Sequence, residues 1–107
     1  MQLKIGALDF LVLPADAVEM GGEYEGTCNC QEQLIRIRCD RSPQWQASVL
    51  VHELLHAAFN LAGLPTKGLT EEAVCSALEG PLALVLRDNH WLFDRLYRAL
   101  SFNEPLF

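Results

Sequence analysis

The rhythm of apolar and polar residues changes near position 42. Before it, short apolar runs and a two-residue alternation predict β-structure. Leu3–Leu8 and Phe10–Leu13 are two such runs, divided at Asp9 and stopped by Pro14. Gly21-Gly22 marks a turn, and Glu23–Cys28 reads as a weaker strand. The clearest strand is Gln33–Cys39, where Leu34, Arg36 and Arg38 alternate with Ile35, Ile37 and Cys39. Its alternation places one face in the core and leaves the other wet or lining a cleft.

Beyond position 42 the period lengthens to that of helices. Ser42-Pro43 is a helix start, an N-cap hydroxyl followed by proline at the first helical position. That helix runs to Leu61 and closes at Gly63, with Pro65 just beyond. From Ala47 to Leu64 it is apolar almost all round, which predicts a buried helix. Thr70 with Glu71 and Glu72 opens a second helix, reaching Asp88 with a kink or interruption at Gly80-Pro81. A third, His90–Phe102, buries Leu92, Phe93, Leu96 and Leu100 and turns Asp94, Arg95 and Arg98 to solvent. The expected fold is α+β: a small antiparallel or mixed sheet packed on three helices, one domain over residues 1–107. Trp45, Phe59 and Trp91 are expected in its core.

Composition narrows the function. Eight Lys and Arg against 14 Asp and Glu give a net charge of -6, which argues against nucleic acid or an anionic membrane as partner. Half of the residues are hydrophobic, too many for a disordered chain. The longest apolar run, Ala57–Leu64, is broken by Asn60 and is too short to span a bilayer. The N-terminal run, with one Lys and breaks at Asp9 and Pro14, is a poor secretory signal. A soluble cytoplasmic domain is expected, with its four cysteines as free thiols. A metal site at Cys28, Cys30 and Cys39 lacks the two-to-four-residue gap usual in zinc knuckles.

The chemistry lies in the first helix, at His52-Glu53-Leu54-Leu55-His56. Residues four apart share a helix face, so both imidazoles can reach one ion. Glu53 flanks that face, within reach of a water there without itself ligating. With only three histidines in the chain, a shuffled sequence would contain HExxH in roughly one case in two hundred. His52, Glu53 and His56 are also the ionisable groups of an otherwise apolar stretch, and a shared metal would give all three a reason to be there. The bland alternative is a hydrogen-bonded histidine pair with Glu53 as an ion-pair partner.

A catalytic zinc needs a third protein ligand and an open position. His90 lies far downstream, and no HExxHxxGxxH continuation exists, since residues 60 and 62 are Asn and Ala. Glu71 and Glu72 are the natural source, completing a His-His-Glu site. On a helical wheel Val74, Leu78, Leu82 and Val85 form the buried stripe of the second helix. Glu71 falls near its centre and Glu72 at its edge beside Ser76 and Glu79. Glu71 is therefore preferred as the ligand, with Glu72 as the alternate.

These motifs carry a resemblance. His52-Glu53-Leu54-Leu55-His56-Ala57, the Thr70-Glu71-Glu72 helix start and Leu86-Arg87-Asp88-Asn89 resemble a family of small metallopeptidase-like proteins of bacteriophages and prophages. Those are similar to stripped-down gluzincins, zinc peptidases with a His-His-Glu site. The similarity covers most of the chain: Ile35–Ile37, Leu50–Ala57, Leu69–Val74 and Val85–Asn89. The family usually has Tyr-Gly on the earlier strand and a proline after the Asp-Asn. Here Tyr24 precedes Glu25, with Gly26 later, and Asn89 precedes His90. The resemblance implies a minimal zincin-like fold, a zinc ion and a peptidase-type site.

The leading expectation is a zinc-dependent metallopeptidase acting on a protein or peptide. His52, His56 and Glu71 hold the metal, and Glu53 is general base and then proton donor. The substrate is expected to lie along the Gln33–Cys39 strand as an added strand. His90, Tyr24 and Tyr97 are alternative oxyanion stabilisers; the bland reading makes His90 a helix cap and the tyrosines core or rim residues. Arg36 and Arg38 line a cleft or form a solvated face. Rival readings are a zinc-stabilised interaction module without turnover, and a zinc amidase acting on cell-wall peptides.

Overall fold

The computed structural model describes residues 1–65 and 67–107. Gly6, at φ +61°, turns the chain between β1 (Gln2–Ile5) and β2 (Leu8–Ala15). This corrects the expected break at Asp9, because a positive φ is what the tight reversal needs and Gly6 supplies it. Asp9 instead lies within β2, opposite Lys4, and the two form an ion pair at 2.9 Å. Pro14 also lies inside β2 rather than ending it. Leu11 N–H donates to the carbonyl of Gln33, just before β4 (Leu34–Arg38), and Val12 N–H to that of Met1 on the β1 side. By that alternation the missing N–H of Pro14 faces the β1 side, where β1 has already ended.

β3 (Gly26–Asn29) and β4 complete a four-stranded sheet in the order β1-β2-β4-β3. β2 and β4 are parallel, and the other pairs antiparallel. The sheet is therefore mixed. β3 begins three residues later than expected, and β4 begins at Leu34 because Gln33 takes a left-handed φ of 56° in the preceding turn. β4 is paired on both sides, so the expected docking of a peptide along Gln33–Cys39 is corrected: its backbone groups are already used.

The three helices are α1 (Pro43–Leu61), α2 (Glu71–Asp88) and α3 (His90–Phe102). Ser42 and Thr70 cap α1 and α2 as expected, accepting from the Trp45 and Ala73 N–H groups. α2 runs unbroken through Pro81. Together the helices cover one face of the sheet, where Leu3, Ile5, Phe10, Val12, Ile35 and Ile37 meet Leu50, Leu54, Val85 and Leu92. Asn89, buried at the α2–α3 junction, accepts from Lys4 N–H and donates to Lys4 and Val85 carbonyls, tying the helices to β1. No helix among the described residues is long and apolar enough to cross a membrane.

Burial departs from the periodicity in several places. α1 is buried on one side only: Leu50, Leu54 and Ala57 face the core, while Val51 and Leu55 are exposed. Trp45 is exposed rather than in the core, its indole N–H donating to Glu25 at 3.2 Å, and Phe59 and Trp91 are half-buried. On α3, Leu92 and Ala99 are buried while Phe93 and Leu100 stay exposed. Arg38 is buried because Asp40 neutralises it through two hydrogen bonds; Arg36 is exposed. Apolar character alone does not place these residues, since 107 residues cannot bury all their apolar surface.

Candidate metal centre

α1 carries His52 and His56 one turn apart, and their Nε2 atoms lie 3.1 Å from each other. The rings meet edge-on, with centroids at 4.8 Å. Two zinc–nitrogen bonds of tetrahedral geometry would hold their nitrogens about 3.3 Å apart. The pair thus matches the spacing of two ligands on one ion when both Nε2 lone pairs are free. In another tautomer one Nε2–H donates to the other ring. Both histidines are exposed, so burial does not explain them; of the three charged or ionisable residues of the motif, only Glu53 is buried.

Glu53 sits between the histidine face and the core. Burial pushes its carboxyl above the usual range, while the His56 and His52 charges act the other way. No hydrogen bond from the described residues stabilises its charged form. A carboxylate poorly solvated and beside two imidazoles is suited to take and return a proton.

What holds Glu53 there is β3. A Cβ at Gly26 would stand 2.5 Å from Val49 Cγ1 and 3.2 Å from Glu53 Oε1. Only a glycine lets the β3 backbone lie this close to α1. The start of β3 is clamped from the side by Glu25, which accepts from Arg41 at 3.0 Å and from Trp45. A glycine interrupting a strand is a sequence signal for close backbone approach, and Gly26 is a positioning residue that periodicity alone does not identify.

His52, Glu53 and His56 line an open cleft of about 730 Å³, walled by Tyr24, Gly26, Thr27, Cys28 and Cys30 and by Phe59 and Asn60. Of the three oxyanion candidates, Tyr24 lines this cleft and His90 and Tyr97 do not. Tyr97 packs edge-on against Phe102 instead. The strand bordering the cleft is β3, whose outer edge is unpaired among the described residues.

Glu71 and Glu72 do not line the cleft, and both are exposed. The expected burial of Glu71 on the core stripe is corrected. Val74, Leu78 and Leu82 are half-buried and Val85 is buried, so the stripe exists, but α2 packs chiefly through its second half. Glu72 accepts a hydrogen bond from Ser76. Among the described residues no three His, Cys, Asp or Glu side chains stand close enough to hold a metal. Cys28, Cys30 and Cys39 are likewise not gathered. Cys28 lies opposite Ile35, and Cys39 follows the far end of β4, about 13 Å further along. No family model, curated protein or solved structure matches this chain, so the functional reading rests on the residues of the cleft themselves.

Proposed function

We propose that this protein is a zinc-dependent metallopeptidase with a minimal zincin-like fold. The observation that carries the reading is the pair of His Nε2 atoms 3.1 Å apart beside a buried carboxyl, in one open cleft. His52 and His56 are two ligands, Glu71 the third and Glu72 its alternate. Zinc held by these residues would supply a Lewis acid for the scissile carbonyl and for the ionisation of a water. Glu53 takes the proton of the attacking water and returns it to the leaving amine. A peptide lies extended on the edge of β3 that is unpaired among the described residues, and Tyr24 reaches its carbonyl oxygen from the rim. Glu71 does not line the cleft in this structure, so its joining the pair would require the first turns of α2 to move toward the histidines.

The exposed position of Glu71 favours a second reading, a zinc-stabilised interaction module without turnover. One experiment separates the two. Glu53→Gln retains both histidines and removes the base, so it should capture a substrate and hold it. Captured proteins are then incubated with the wild type and with the variant, and new termini are sought by mass spectrometry. A peptidase cuts with the wild type and at least about a hundredfold more slowly with Glu53→Gln. Equal capture with no cutting by either form would leave the module reading standing.

A further inference from the structure

Two thiols in the cleft wall have no part in that chemistry. Cys28 lies near the end of β3 and Cys30 just past it, in the turn leading to β4. Their Sγ atoms are 3.8 Å apart, both side chains are half-buried against the core, and both line the cleft of His52, Glu53 and His56. We propose that Cys28 and Cys30 are a redox modification site, closing reversibly to an intramolecular disulfide that alters the wall of the histidine cleft. The inference stands whether or not the cleft binds zinc.

The geometry is close to what a disulfide requires. The sulfurs must approach by about 1.8 Å to reach bonding distance. Residues two apart on a strand have Cα atoms roughly 6.6 Å apart, near the upper limit for a disulfide. Here the strand ends at Asn29 and the chain turns at Cys30, so the second residue is not bound to strand geometry. A bond closing so short a loop is strained, and strained disulfides are the readily reduced ones. The other two cysteines are exposed, Cys39 beyond the opposite end of β4 and Cys75 on α2. They are not partners for this pair.

The reaction balances with a small-molecule disulfide such as oxidised glutathione. One cysteine thiolate attacks it and expels one glutathione thiolate, leaving a mixed disulfide. The second cysteine attacks that mixed bond at the protein sulfur and expels the other. Two S–H bonds are lost, one S–S bond forms, and the oxidant leaves as two thiols that take up the protons. Burial pushes the Cys28 thiol up to about 12, with Cys30 and Glu53 adding to the rise. Cys28 is thus a poor first nucleophile, and the sequence runs from Cys30 to Cys28. Once Cys30 carries the mixed disulfide, its thiol no longer opposes ionisation of Cys28. The effect reaches the cleft because both thiols line it and Cys28 shares a strand face with Gly26, where even a Cβ would stand 3.2 Å from Glu53 Oε1.

The test uses the full chain with Cys39→Ser and Cys75→Ser, treated with a chelator and equilibrated against glutathione at graded ratios of oxidised to reduced. Both remaining thiols should become inaccessible to alkylation together. The intact mass should fall by two hydrogen atoms, no disulfide should link two chains, and dithiothreitol should restore the reduced form. Cys28→Ser in this background should stop at a glutathione adduct on Cys30. A stable adduct on the unmutated pair, or intermolecular dimers, would overturn the disulfide. The ring resonances of His52 and His56 should shift between the reduced and oxidised forms. Their coincidence would overturn the link to the cleft.

Discussion

At the scale of single residues, the contact between Gly26 and α1 decides whether Glu53 is buried. A methyl group at position 26 would meet Val49 at 2.5 Å. Valine in a helix has one strongly preferred rotamer and cannot swing aside, so β3 must lift from α1. Overpacking of this kind costs about 1–3 kcal/mol. Gly26→Ala should lose that much stability in chemical denaturation, and adding Val49→Ala should recover most of it. The double variant keeps the contact with Glu53 Oε1 at 3.2 Å, so its Glu53 stays perturbed while its fold is repaired. A Gly26→Ala protein as stable as the wild type would show that β3 does not press on α1 in solution.

At the scale of elements, Glu25 joins β3 to the beginning of α1. The Arg41 guanidinium hydrogen-bonds its carboxylate and holds it below its ordinary value of 4.5, with Trp45 adding to the effect. A depressed carboxyl contributes stability above the unfolded pKa and loses it as pH falls through the lowered folded value. Glu25→Gln should therefore melt below the wild type at neutral pH, and the difference should close in acid below about pH 4.5. The group is exposed, so the effect is small and should shrink with added salt. A difference independent of pH across thermal melts would assign it to the packing of Trp45 instead. The clamp also explains an exposed tryptophan: its indole edge serves a carboxylate in a second pocket, which the two line together with His52 and Glu53.

At the scale of the molecule, zinc should couple the cleft to folding. Purified protein should hold about one zinc per chain, and His52→Ala or His56→Ala should abolish it. Free zinc at a hundred times its Kd should stabilise the fold by about 2.7 kcal/mol, raising the melting temperature. Glu71→Gln should reduce that gain far more than Glu72→Gln, because Glu72 is already engaged by Ser76. Equal losses would show that α2 meets the histidines in another register. A second zinc that survives both histidine substitutions would place a separate metal site on the cysteines.

Local rules alone determine much of this chain. A hydroxyl before a proline, and a threonine before two acids, start helices wherever they stand, and α1 and α2 begin at those signals. The i, i+4 spacing of His52 and His56 brings their nitrogens together for the same reason, since a helix turn is the same in any fold. The order of strands is different in kind. That β4 is central and β3 borders the cleft depends on pairings between distant segments, which alternation in one segment cannot reveal. Burial is also a collective quantity. Trp45, Phe93 and Leu100 are as apolar as their buried neighbours, yet the sheet has no room to cover them. Glu71 illustrates the limit: the helical wheel locates it on a stripe, but only packing decides how far along that stripe the core extends, and here the core stops short of the first turn of α2.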